Sequence, residues 1–128
     1  MSRRDRTLTW KSLRLPLLLA GLLACLGPAW AGDDYWIDVR SESEFAEGHM
    51  SLAVNIPYTE ITRRIDEVTS DKDARIYLYC RSGRRAGIAQ EALEQAGYSN
   101  VVNLRTLEEA RQTAARLETC RQDASADC

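Results

Sequence analysis

Four short runs of β-branched and aromatic residues alternate with helical patterns along residues 33–118 of this 128-residue chain. The runs span residues 35–39, 53–56, 75–79 and 101–104. The run at 75–79 is the most apolar, which predicts a central strand. Because strands that alternate with helices join in parallel through crossovers, the pattern predicts one α/β domain, a mainly parallel sheet with helices on both faces. In such sheets, ligands bind beyond the carboxyl ends of the strands.

Helix signals separate these strands. Residues 41–44 (Ser-Glu-Ser-Glu) form a capping box, which predicts a short helix that ends at Gly48. Amphipathic periodicity predicts further helices over residues 61–68 and 83–96, and a last helix from 106 to about 118. The apolar side chains expected to face the core from these helices are Phe45, Ile61, Ile65, Val68, Ile88, Ala89, Ala92, Leu93 and Ala96.

The first 31 residues have the layout of a secretory signal peptide. Residues 1–14 carry five basic side chains and one acidic side chain, a net charge of +4. An apolar run of ten residues follows at 17–26, and Ala29-Trp30-Ala31 offers a peptidase small residues at alternate positions. A membrane-spanning helix needs about 20 apolar residues, more than this interrupted run provides. We therefore expect cleavage after Ala31 and a bacterial protein that is periplasmic or secreted.

A second interpretation of the leader stays open. Leu22-Leu23-Ala24-Cys25 resembles a bacterial lipobox, in which Cys25 would become the lipidated first residue of a membrane-anchored protein. A leucine two residues before the cysteine fits that pattern less well than a small residue would. We expect no membrane association unless Cys25 is lipidated. The chain is thus divided into a signal peptide (1–31), one domain (32–118) and a polar C-terminal tail (119–128).

The charge balance excludes some classes of partner. The chain carries 17 Lys+Arg and 19 Asp+Glu, but the leader conceals an acidic remainder with 12 basic and 18 acidic side chains, a net charge of −6. Because no block of basic residues follows the leader, nucleic acid is not an expected partner. The single histidine, His49, and four cysteines without a C-x-x-C pair do not give zinc-ligand spacing. We expect a monomer with no metal and no cofactor.

The loop at residues 80–85 follows the third predicted strand and leads into a helix. Such a loop turns backbone N–H groups toward one point, and the helix dipole adds positive potential. A cysteine placed there has a stabilised thiolate, and the same cradle accepts an oxyanion. The alternative is an inert buried cysteine beside solvated arginines. The loop predicts a nucleophile, Cys80, and substrate-binding residues Arg81, Ser82, Gly83, Arg84 and Arg85.

Five motifs in order along residues 35–104 carry a family resemblance. They are Asp38-Val39-Arg40, Glu44-Phe45, Gly48-His49-Met50, Ala53-Val54-Asn55-Ile56-Pro57 and the loop at 80–85. Together they resemble the rhodanese domain of thiosulfate sulfurtransferases, and most of all its small periplasmic members. The resemblance implies a ping-pong transfer of a sulfane sulfur. Cys80 would attack thiosulfate, release sulfite, hold a persulfide, and pass the sulfur to cyanide or a thiol.

The resemblance also implies roles for residues outside the loop. Asp38 and Arg40 would support the loop through ion pairs, although a purely local charge pair is an equal alternative. His49 belongs to a motif that is structural in this family, and a thiolate needs no general base. Two departures bear on substrate choice. Arg105-Thr106 stands where many relatives have two glycines near the active loop, and Leu52 replaces a common glycine.

Loop length distinguishes the competing enzymes of this fold. Cys80 and Arg85 have C-x4-R spacing, whereas related phosphatases use a larger C-x5-R loop that surrounds phosphate. The shorter loop suits a single persulfide sulfur. A related-fold phosphatase or arsenate reductase is therefore the less favoured alternative. A non-enzymatic persulfide carrier or redox sensor remains a further alternative, because accessible thiolates also serve as sensors.

Three cysteines remain once the leader is removed. An odd number in an oxidising compartment indicates one free thiol and one pair. Cys120 and Cys128 flank seven polar tail residues, so we expect a disulfide between them that ties down the tail. The alternative is a disulfide between Cys80 and one of the tail cysteines.

Overall fold

A computed structural model describes residues 33–127 as a four-stranded sheet covered by helices. The leader, with its predicted cleavage and lipidation sites, lies outside the described residues. The strands are β1 (Asp34–Asp38), β2 (Ala53–Asn55), β3 (Arg75–Cys80) and β4 (Val101–Thr106). Their order in the sheet is β2-β1-β3-β4, and every neighbouring pair is parallel. The predicted parallel α/β domain is confirmed, with β1 and β3 in the centre.

Helices follow the strands in sequence. They are α1 (Glu42–Glu47), α2 (Ile61–Arg64), α3 (Arg84–Gln95) and α4 (Leu107–Gln122). The capping box predicted at Ser41 is present, and Thr106 and Glu109 form a second one at the start of α4. The helix predicted over 61–68 is α2 between two 3₁₀ turns, Tyr58–Glu60 and Ile65–Glu67, although it still buries Ile61 and Ile65.

Alternate residues of the central strands fill two separate cores, because successive side chains of a strand point to opposite faces. On one face, β1 and β3 pack against α3 and the segment around α2. The buried residues there include Ile37, Val39, Ile76, Leu78, Ala86, Ala89 and Leu93. On the other face, Trp36 stacks on Tyr77 with ring centroids 4.3 Å apart, and α4 supplies Ala110. Helices therefore cover both faces of the sheet, as predicted.

Three of the predicted core residues are wrong or only partly right. Ile88 is 42% exposed, because the buried stripe of α3 passes through Ala86, Ala89 and Leu93 on the opposite side of the helix. Ala96 is exposed at the end of α3, where Gly97 turns the chain. Tyr98 then enters the core instead and is 1% exposed. Phe45 is half-buried and stacks on His49.

The last helix extends beyond its predicted end near residue 118. It continues to Gln122, so Cys120 lies in the final turn of α4 and not in an irregular tail. Within residues 33–127, no helix is both long and apolar enough to cross a membrane.

Candidate active site

Cys80 ends β3 at the carboxyl edge of the sheet, and the chain turns through residues 81–83 into α3. Its side chain is buried, with 1% of its surface exposed. The backbone N–H of Gly83 donates a hydrogen bond to Cys80 Sγ over 3.0 Å. Gly83 caps α3 in a left-handed conformation, with φ of 93°. The N–H group and the positive end of the helix dipole both place positive potential at this point.

Strand β4 forms one wall of this loop. Asn103 Nδ2 donates to the carbonyl oxygen of Gly83 over 3.0 Å, and Thr106 is the register partner of Cys80. Arg105 lies so close that a Cβ atom on Gly83 would be 3.0 Å from Arg105 Cγ. Glycine is therefore required at position 83, both for its positive φ and for the approach of Arg105. Arg105, which stands where many rhodanese domains have a glycine, therefore lies against the active loop.

Glu44 holds two of the three loop arginines. Arg85 donates from Nη1 and Nη2 to the two carboxylate oxygens over 2.7 and 2.9 Å. Arg81 donates from Nε over 2.5 Å. These hydrogen bonds, first from Arg85 and then from Arg81, hold the pKa of Glu44 well below its usual range. Glu44 therefore remains ionised and fixes the loop to the start of α1, which is bonded to the same carboxylate through Ser41.

The remaining predicted loop residues face outward. Ser82 and Arg84 are exposed, and Arg84 makes no ion pair within residues 33–127. Arg84 is the first residue of α3, so its positive charge belongs to the first turn of that helix. The pKa of Arg85 is raised chiefly by its hydrogen bonds to Glu44, with smaller contributions from the charges of Cys80 and Asp38. The loop thus has one unpaired arginine and two that are neutralised by a carboxylate.

Asp38 and Arg40 form a buried ion pair at the end of β1. Arg40 Nη2 donates to Asp38 Oδ2 over 2.6 Å, and Arg40 Nε contacts both carboxylate oxygens at 2.9 and 3.0 Å. Arg40 Nη2 also donates to the carbonyl oxygen of Gly48 over 2.7 Å. Asn55 Nδ2 donates to the backbone carbonyls of Asp38 and Arg40. The pair therefore anchors the end of α1, the helix that carries Glu44.

His49 and the strand tyrosines are engaged away from the sulfur. His49 Nδ1 lies 2.8 Å from the carbonyl oxygen of Phe45, and the two rings stack at 3.6 Å. The hydroxyl of Tyr79 accepts a hydrogen bond from Met50 N–H over 3.2 Å, and burial raises the pKa of Tyr79 to about 12. Tyr77 packs on Trp36. Leu52, the other departure, is exposed in the turn before β2.

Cys80 is the free thiol of the described residues, whereas Cys120 is held in a disulfide. Its predicted partner, Cys128, lies outside the described residues, so that pairing stays a prediction. A disulfide between Cys80 and Cys120 is absent from this structure, which leaves the buried sulfur of Cys80 available for chemistry.

Sequence reasoning identified the loop but missed Glu44 as a part of the site. The capping box predicts a helix start, and it accounts for a glutamate at position 44 without any tertiary contact. The available signal was a surplus of three arginines in one loop. Such a cluster needs a carboxylate to hold it in a defined arrangement, and Glu44 lies in a conspicuous motif before the loop.

Comparison with known proteins agrees with this geometry. The family model described as Rhodanese-like domain matches residues 26–106. Thiosulfate sulfurtransferase PspE of Escherichia coli K12 is 38% identical over 86 residues, which cover 67% of this chain and 82% of PspE. Thiosulfate:glutathione sulfurtransferase of Saccharomyces cerevisiae is 32% identical over 75 residues, which cover 50% of this chain and 54% of the yeast protein.

A solved structure has the same architecture. It is described as a rhodanese with anions from E. coli, with 36% sequence identity and a TM-score of 0.58. The superposition covers 60% of this chain and 91% of the E. coli chain. The parallel sheet, the cysteine at the end of β3 and these relatives lead to one conclusion: the chain belongs to the rhodanese-like domain family, and its relatives include thiosulfate sulfurtransferases.

Proposed function

We propose that this protein is a sulfurtransferase that moves a sulfane sulfur from thiosulfate to a thiophilic acceptor, cyanide or a thiol, through a persulfide on Cys80. The observation that carries the proposal is the position of Cys80 Sγ. The sulfur accepts the Gly83 N–H at the start of α3, within a loop of C-x4-R spacing. The relatives named as thiosulfate sulfurtransferases support the same donor.

The reaction takes place in two displacements at sulfur. The Cys80 thiolate attacks the outer sulfur of thiosulfate, a new S–S bond forms, and the original S–S bond breaks with its electron pair leaving on sulfite. The acceptor then attacks the outer sulfur of the persulfide, and Cys80 leaves as a thiolate. Neither step needs a general base, which agrees with the engagement of His49 elsewhere. The N–H of Gly83 and the helix dipole stabilise the anionic sulfur in each state.

The loop residues divide the work of holding the donor. Arg84 supplies an unpaired positive charge beside the backbone N–H groups of residues 81–85, which bind the sulfonate oxygens of thiosulfate. Arg81 and Arg85 keep the loop in shape through Glu44 and contribute less net charge. Asp38 and Arg40 position α1, and thereby Glu44. This division predicts that Arg84 affects donor binding, whereas Glu44 affects loop order.

A persulfide carrier or redox sensor is the second candidate function, which the free thiol of Cys80 supports. It predicts that thiosulfate leaves one additional sulfur, about 32 Da, on Cys80 without repeated turnover. A phosphatase is disfavoured by the six-residue loop, which is one residue shorter than the C-x5-R loop of related phosphatases.

Replacement of the nucleophile tests the proposal. We expect Cys80→Ser to abolish thiocyanate formation from thiosulfate and cyanide, because serine cannot form a persulfide. The wild-type protein should release sulfite and gain the mass of one sulfur on Cys80. Ser70→Ala, in an exposed loop at the opposite end of β3, is the control and should retain turnover. Substantial turnover in a folded Cys80→Ser protein would overturn the proposal, and a single sulfite release without turnover would establish the carrier function instead.

We further propose that the protein acts outside the cytoplasm after removal of residues 1–31. The basic, apolar and A-x-A segments of the leader support this assignment. Mass spectrometry of protein from a bacterial periplasm should find Gly32 as the first residue. A lipidated Cys25 at the new terminus would replace this assignment with a membrane-anchored one.

A further inference from the structure

Arg105 has the one backbone conformation in residues 33–127 that a side-chain-bearing residue rarely adopts. Its φ is 68°, and the other positive φ values in this part of the chain belong to glycines. Asn103 supports the turn, because its Oδ1 accepts the N–H of Arg105 over 2.8 Å while its Nδ2 binds Gly83. Left-handed conformations at residues other than glycine concentrate at functional sites. Here the conformation places the Arg105 side chain against the loop of Cys80.

Arg105 also lines a groove of about 290 Å³ between β4 and α4. Its lining includes Asn103 and Arg105, which also form the wall of the active loop, and then Gln112, Thr113 and Arg116 on α4. The groove therefore shares Asn103 and Arg105 with the wall of the active loop. It lies at the outer edge of the sheet, because β4 is an edge strand.

The groove has an excess of positive charge. Arg105 and Arg116 make no ion pair within the described range 33–127, whereas the exposed arginines of α2 are paired with glutamates. Glu109, the acidic residue of the lining, is committed to the cap of α4, because Glu109 Oε2 accepts from Thr106 N and Oγ1. In a domain with an acidic excess, two unpaired arginines in one groove indicate an anionic ligand.

We propose that this groove binds the carboxylate-bearing body of a low-molecular-weight thiol, the sulfur acceptor, and that Arg105 and Arg116 determine its preference for anionic thiols. This inference rests on the proposed function. The size of the groove argues for the acceptor over the donor as its ligand. The groove has the volume of roughly ten water molecules at about 30 Å³ each, which is more than thiosulfate fills. A thiol of dipeptide or tripeptide size could place its carboxylates on the arginines while its sulfur reaches toward the loop.

The test compares two acceptors that carry the same thiol but differ in the charge of their carboxyl groups. Glutathione and its diethyl ester would accept sulfur from the thiosulfate-loaded protein. We expect Arg105→Gln and Arg116→Gln each to lower the ratio of kcat/KM for glutathione to that for the ester by about tenfold, the loss of one charge-assisted contact. Glutamine at position 105 keeps a Cβ atom and a similar length, so the variant isolates the charge. Arg75→Gln removes an exposed charge at the opposite end of β3 and is the control, with an unchanged ratio.

A binding measurement separates failure of the inference from failure of the proposed function. S-methylglutathione cannot accept sulfur, and calorimetry should detect its binding to the wild-type protein but about tenfold weaker binding to each groove variant. An unchanged acceptor ratio with normal sulfur transfer would overturn the groove assignment and leave the sulfurtransferase intact. Absence of sulfur transfer to any acceptor would overturn the proposed function, and the groove would then be judged by S-methylglutathione alone. If S-methylglutathione does not bind to the wild-type protein, or binds equally well to all variants, the groove assignment is overturned as well.

Discussion

One carboxylate, that of Glu44, has two structural roles. It completes the capping box of α1 with Ser41, and it accepts three hydrogen bonds from Arg81 and Arg85. Arg85 binds it through two parallel N–H groups, the planar arrangement that a guanidinium makes and an ammonium does not. The side chain is 17% exposed, so water screens these contacts only in part. Glu44 is therefore a positioning residue that holds the loop around Cys80, the proposed nucleophile.

Glu44→Gln tests this role. We expect the free energy of unfolding to fall by about 1–2 kcal/mol at pH 7, because two charge-assisted contacts become neutral ones. The pKa of Glu44 is lowered in the folded protein, so its contribution is complete above the unfolded pKa of about 4.3 and is lost as pH falls toward the folded pKa. Urea denaturation of both proteins at pH 7 and at successively lower pH measures the difference.

The matched control is Glu47→Gln, since Glu47 is an exposed partner of Arg81 at 3.6 Å and should have little effect. Thiosulfate turnover of Glu44→Gln should also fall at pH 7. A difference in stability that stays constant below pH 4 would contradict the assignment.

At the residue scale, the grouping of the loop residues was predictable and the carboxylate that supports them was not. Cys80, Gly83 and the arginines are adjacent in sequence, so their grouping is visible without a fold. Glu44 lies 37 residues from Arg81 and 41 from Arg85. Only the pairing of β1 with β3 brings them together, and a sequence pattern carries no information about such a distance.

At the scale of elements, the active loop depends on the fit between the start of α3 and the end of β4. Gly83 and Arg105 both have positive φ, and they touch. A left-handed conformation costs a side-chain-bearing residue roughly 1–2 kcal/mol. The hydrogen bonds of Asn103 to both residues offset part of that cost. The start of α3 and the end of β4 therefore stabilise each other's backbone conformation.

Gly83→Ala should disrupt this fit. A methyl group would lie 3.0 Å from Arg105 Cγ and would add the strain of a positive φ, so we expect a loss of about 1–3 kcal/mol in unfolding free energy and a large loss of sulfur transfer. Thermal denaturation and thiocyanate formation measure the two effects.

Gly87→Ala is the control, because Gly87 lies inside α3 with only Asn103 Nδ2 nearby, at 3.6 Å. Alanine there should keep activity and raise stability by up to about 1 kcal/mol through its helix propensity. Equal behaviour of the two variants would argue against a special role for the Gly83 turn.

Element types were more predictable than helix details. The strands were found because their alternation and β-branched composition reflect burial on two faces. The region 61–68 was predicted as one helix from three apolar positions, yet it forms one turn of α-helix between 3₁₀ turns. Ile88 was assigned inward by its hydrophobicity, whereas small alanines let α3 approach the sheet closely. Periodicity does not reveal which of two neighbouring apolar positions the sheet will contact.

At the scale of the whole molecule, the cysteines have separate roles. Cys80 is a buried free thiol at the site, and Cys120 is disulfide-bonded in the last turn of α4. Arg121 in the same turn bonds to Asp34 at the start of β1 over 2.6 Å. The end of α4 is thus attached to the edge of the fold opposite the active site.

Cys128→Ser tests the predicted pairing of Cys120. Because the crosslink closes a short loop, its loss should lower unfolding free energy by at most about 2–3 kcal/mol. Alkylation of the unfolded exported protein without reductant should label Cys80 alone in the wild type, and Cys80 with Cys120 in the variant. Peptide mapping gives the sites. A wild-type peptide that joins Cys80 to Cys120 or Cys128 would contradict the pairing, whereas sulfur transfer by the variant should be unchanged.

The small size of α1 has a kinetic consequence for the site. This helix has six residues and buries none of them, so its hydrogen bonds open far more readily than those of the central strands. When α1 frays, Glu44 leaves and the guanidinium groups of Arg81 and Arg85 are released to solvent. The loop around Cys80 then loses the carboxylate that fixes the positions of its arginines. The order of the loop is thereby coupled to the opening of one short helix, while the central strands stay in place.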